Sequence, residues 1–149
     1  MSEWIYLGLN ATDFAQTKQE RGVTVSTSPS PYDVPEAARL NFDQPKKHLL
    51  IEFQYIGSEP VRKVVEDSAI SFQLGANSGR LYGIDVKLEN IGETTIPGLA
   101  NHIAAKIGSL AEKGKQPARA NNYSIVRQAV SSEKNCLFAE MNPVLFQIE

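Results

Sequence analysis

Cysteine occurs once in this chain, at Cys136, and histidine twice, at His48 and His102. A single cysteine closes no intrachain disulfide and excludes four-cysteine zinc modules. Two histidines and one cysteine so widely spaced build no closed zinc site, so no metal and no cofactor is expected. Long apolar runs are missing too. None approaches membrane-spanning length, and a membrane partner is not expected. The start, Met1-Ser2-Glu3-Trp4, has neither a basic n-region nor an apolar h-region, so no secretory signal is read there. A cytoplasmic location is the expectation that follows. Charge of one strong sign is also absent. The formal charge is −2, which argues against bulk attraction to nucleic acid or anionic lipid.

What is present suits one domain of 149 residues. Hydrophobic residues make up 42% and charged ones 21%, enough apolar material for a core without staples. Residues 1–95 carry nine basic and thirteen acidic side chains, a net −4, and residues 96–134 six and two, a net +4. Lys113, Lys115 and Arg119 form the densest basic stretch. They are the candidate nucleic-acid residues, although no nucleic-acid motif surrounds them.

The chain divides into an N-terminal arm (1–28), a Pro/Ser connector (29–37), a β meander (38–92) and a helical third with a C-terminal strand (93–149). Trp4–Leu9 reads as a strand, Asn10–Gly22 as a loop or helical turn, and Val23–Ser26 as a weaker strand. Pro29, Pro31 and Pro35 remove donors and fix φ, which marks a connector. From Ala38 onward, apolar and polar residues alternate. Leu40 and Phe42, then Leu49, Ile51 and Phe53, then Ile70, Phe72 and Leu74, then Ile84 and Val86 mark faces of successive strands. A sheet packed on one side and wet on the other writes this pattern. After Glu93 the period changes. Leu99, Ile103, Ile107 and Leu110 form one helical stripe, and Tyr123, Val126 and Val130 a second, in a helix expected over Asn121–Ser132. The expected fold is α+β: a twisted antiparallel sheet with two C-terminal helices on one face.

Within the meander, Phe42-Asp43, Leu49-Leu50-Ile51-Glu52-Phe53, Ile70-Ser71-Phe72-Gln73-Leu74 and Gly79-Arg80-Leu81-Tyr82-Gly83-Ile84-Asp85-Val86 stand in order. Residues 41–90 thereby resemble a small bacterial β-rich domain family of unknown function. Its sequences run Tyr-Asp, an alternating Leu-Tyr-Ile strand, a hairpin arm, and a return through Gly-Ile-Glu. The resemblance implies a compact sheet with a helix against it and brings no known reaction.

The inventory of chemistry is thin, and no catalytic residue is assigned. His48 at a strand start is a candidate general base or ligand. Glu52 and Asp85 fall on polar sides of strands as candidate paired carboxylates, and Tyr82 is a candidate pocket residue. Together these four are the candidate small-molecule ligand residues. His102 lacks a partner motif, and Cys136 beside Leu137 and Phe138 reads as buried and inert. Catalysis is therefore not the expectation. The chain reads as a homo-oligomeric binding or assembly module, with a dimer expected because the arm bears Trp4, Ile5 and Tyr6. The alternatives are a small-molecule binding protein or enzyme with a pocket between sheet and helices, and a weak nucleic-acid-associated protein using the basic third.

Overall fold

The computed structural model describes residues 4–10, 14, 16–27, 30–43, 45–90, 96–113 and 117–131. The expected C-terminal strand, Cys136 and Lys115 lie outside them. The strands are β1 (Ile5–Tyr6), β2 (Gln16–Glu20), β3 (Val23–Thr27), β4 (Ala37–Asp43), β5 (His48–Gln54), β6 (Val61–Val65), β7 (Ile70–Gly75) and β8 (Leu81–Lys87). Two helices follow, α1 (Ile96–Lys113) and α2 (Pro117–Ser131). The α+β architecture is the one the alternation and the helical stripes imply.

Six strands form one antiparallel sheet in the order β1-β4-β5-β8-β7-β6. The chain does not simply run up and down through it. After β5 it crosses to the far edge, lays down β6, and returns through β7 and β8 so that β8 pairs with β5. Side-chain chemistry suits this order. β8 carries Leu81, Ile84 and Val86, all fully buried, and takes a central place. β6, with Arg62 and Lys63, stays at the edge, where charged residues blunt unpaired backbone.

Register builds the core in rows. Leu40, Ile51, Ile84, Phe72 and Val64 lie side by side across five strands, and Phe42, Leu49, Val86 and Ile70 form the next row. Leu99, Ile103, Ile107 and Leu110 of α1, with Tyr123, Val126 and Val130 of α2, complete the same apolar cluster. The expected match between sheet face and helix stripe is therefore present.

Several boundaries differ from the sequence reading. The N-terminal strand is two residues long, because Gly8 turns at φ 65. The stretch read as loop or helical turn contains β2, which pairs with β3 in a separate two-stranded hairpin. Its turn, Arg21-Gly22, has φ of 53 and 78. Two successive left-handed residues give the turn twist that suits a tight hairpin. α2 starts at Pro117, whose missing donor is harmless in a first turn. The helix thus begins four residues before the expected Asn121.

Candidate functional site

The polar face of the sheet follows from the same register. On the side away from the helices one row runs Arg39, Glu52, Gly83, Gln73 and Lys63, and the next Asn41, Leu50, Asp85, Ser71 and Val65. His48 lies between Asp43 and Lys87. Three of the four expected ligand residues, His48, Glu52 and Asp85, thus share one face. His48 Nδ1 is 3.8 Å from Asp85 Oδ1. A depression of about 280 Å³ beside them is lined by Asn41, Phe42, Asp43, His48, Leu50 and Asp85.

Glu52 is committed elsewhere. Arg39 donates to it from Nε at 3.0 Å and Nη2 at 3.2 Å, and Asn41 Nδ2 donates at 2.6 Å. The hydrogen bond to Glu52 raises the Arg39 guanidinium above its ordinary value, so that cation is permanent. Arg39 also stacks on Trp4, its Cζ 4.4 Å from the ring centroid. The outcome is an anchored row in which Glu52 has little capacity left, beside a His48–Asp85 pair that borders open space.

Tyr82 lies apart from those three. Its ring packs on Tyr55 at 5.0 Å, tilted by 58°, and its hydroxyl donates to Glu59 Oε2 at 3.3 Å. A register shift between Gln73 and Leu74 moves Tyr82 out of the simple alternation. It belongs to a polar network at the end of the core. The backbone N–H groups of Asn77 and Ser78 each donate to Glu59 Oε1 at 2.8 Å. Burial by itself would raise the Glu59 carboxyl, but these donors outweigh it and hold it below its ordinary value. Arg80 Nε donates to Asp33 Oδ1 at 2.8 Å, with Nη1 3.7 Å from Glu59 Oε2.

Asn122 closes the network from α2. It accepts from the Leu81 N–H at 2.9 Å and donates to the Asp33 carbonyl at 2.6 Å. Glu59, Arg80, Asp33 and Asn122 went unnoticed in the sequence. One signal existed: Asn122 adjoins the apolar stripe of α2, where a polar residue needs a partner. The network is internally satisfied, and it ties the turn at Pro31–Asp33, the β7–β8 loop and α2 together.

Of the expected basic residues, Lys113 and Arg119 lie among the described residues. Lys113 Nζ is 3.3 Å from Glu66 Oε2, and Arg119 sits in the first turn of α2. His102 is half-buried on α1, and its Nε2 has no hydrogen-bond partner among the described residues. No group of three or more acidic, histidine or cysteine side chains among the described residues forms a metal cluster. No helix there is long and apolar enough to cross a membrane.

Four of the exposed large apolar groups lie at the margins of the sheet, while Val23 lies on the hairpin and Tyr32 in the turn at Pro31–Asp33. On β6, Val61 is 47% and Val65 68% exposed. At the other margin Tyr6 is 75% and Ile56 51% exposed, and both line a shallow depression of about 340 Å³ with Pro31, Val34 and Pro35. No family model, no curated protein and no solved structure matches this chain.

Proposed function

We propose that this protein is a non-catalytic homo-oligomeric module of a bacterial cytoplasm that assembles through the margins of its sheet. The observation that carries the reading is where the exposed apolar side chains lie. The helices already cover the inner face, so Val61, Val65, Tyr6 and Ile56 are not remnants of an unfinished core. Val61, Val65 and Tyr6 sit on the outermost strands and Ile56 in the turn after β5, and an outermost strand has backbone groups available to another chain. Apolar groups gathered at such an edge mark a protein–protein contact, and a two-fold dimer is the commonest solution. Light scattering behind size exclusion tests it. A mass above the 16.4 kDa of one chain at tens of micromolar is expected. A mass of 16.4 kDa there overturns the proposal.

A second reading, small-molecule binding, is favoured by the His48–Asp85 pair at the edge of the 280 Å³ depression. Its test is a thermal-shift screen with small polar compounds. A stabilising compound whose effect disappears in Asp85→Asn supports it, and a screen without one removes it.

A further inference from the structure

The hairpin of β2 and β3 forms its own two-stranded sheet and makes no extensive contact with another element among the described residues. A lone hairpin is marginal in water and gains stability by joining a larger sheet. β3 reads Val-Thr-Val-Ser-Thr, a strongly β-prone strand with no charge. Its Val23 is 60% exposed. An uncovered edge of this composition is a pairing hazard that natural proteins cover.

Among the described residues the same molecule has an open edge of equal length. β6 and β3 are each five residues long, and β7 pairs with only one side of β6. Charge then decides what fits there. If β6 paired with the β6 of another copy in the antiparallel register that joins all five residues, Lys63 would oppose Lys63. If β2 paired with β6 over its full length, Lys18 would oppose Lys63 in either direction. Like charges directly opposite are destabilising. Of the three five-residue strands among the described residues, β3 alone meets β6 over its full length without a like-charge pair. In the antiparallel register Val23 meets Val65, Val25 meets Lys63 and Thr27 meets Val61. The two most exposed valines of the described chain thereby cover each other. The strand left at the new edge is β2, with Lys18 and Glu20, and charged residues suit an edge.

We infer that β3 of one copy adds antiparallel to the β6 edge of a second copy of this chain. This rests on the assembly reading above and names its interface. The test is disulfide trapping in a Cys136→Ser background, mixing a Val23→Cys chain with a Val65→Cys chain. Both introduced sites are exposed, so neither threatens the core. Rapid formation of a mixed disulfide dimer, well above the yield from either chain alone, is expected. A single chain carrying both cysteines that traps itself as a monomer overturns the inference.

Val65→Lys with Cys136 retained gives an independent measurement, because it sets a new charge on the edge outside the core. Its mass by light scattering should fall to that of one chain. An oligomer that persists in Val65→Lys and yields no mixed disulfide overturns this interface while leaving the assembly reading intact. A parent chain that is monomeric overturns both.

Discussion

Asn122 Nδ2 donates to the Tyr55 hydroxyl at 3.0 Å, joining two residues 67 positions apart in the chain. Tyr55 in turn donates to the Leu81 carbonyl at 2.7 Å. Burial pushes its phenol well above the ordinary value, so it remains a donor. Asn122 is 1% exposed, and α2 is therefore pinned to the sheet by a dry, satisfied amide. Asn122→Ala leaves the buried Leu81 N–H without its acceptor. The expected loss is about 1–3 kcal/mol, the cost of an orphaned buried donor. Tyr55→Phe leaves fewer groups stranded and should cost about 0.5–1.5 kcal/mol. Urea denaturation of the two variants checks the ranking.

Phe72 is fully buried in the central core row. Phe72→Ala should cost about 3–5 kcal/mol, because the transfer and cavity terms add. Chemical denaturation giving less than about 1 kcal/mol would contradict the row.

Asp67 supplies a pH dependence of defined sign. Hydrogen bonding from Lys106 is the main cause that lowers its carboxyl to about 2, with the N–H groups of Ala69 and Ile70 adding to it. Lys106 Nζ lies 2.8 Å from Asp67 Oδ2. The unfolded carboxyl titrates near its ordinary 3.8. The folded value is depressed, so the contribution is complete above that value and disappears as pH falls toward about 2. Asp67→Asn should therefore flatten the acid limb of a melting-temperature profile in that window, and an unchanged limb would refute the assignment.

Gly75 has no room for a side chain, since an added Cβ would run into the Glu59 carboxylate and come within 2.8 Å of Ser78 Oγ. Gly75→Ala should destabilise by about 1–3 kcal/mol through overpacking. In a Glu59→Ala background the added cost should shrink, because the clashing partner is gone. A double-mutant cycle measures that coupling, and strict additivity would contradict it.

The sheet face and helix stripes were legible because each records a period. Ile51, Phe53, Phe72, Ile84 and Leu99 recur at the spacing of the element that buries them. β2 was not legible, because Gln-Thr-Lys-Gln-Glu carries no apolar alternation and its strand pairing among the described residues is with β3. The start of α2 was hidden for a related reason. A proline in a first turn and a linker proline look alike in sequence.

The candidate site divides along the same line. His48 and Asp85, 37 positions apart in the chain, come together only because β8 pairs with β5. Glu59, Arg80 and Asp33 converge through turns, and turn residues carry no periodic signal. By itself the sequence determined which faces are apolar, and hence that a one-sided sheet lies beneath two helices, because burial selects by local period. Strand order, the partner of each charge and the isolation of the β2–β3 hairpin were decided only by the tertiary structure. They depend on which strand edges meet, and a strand's side-chain pattern fixes its face but leaves its neighbour open.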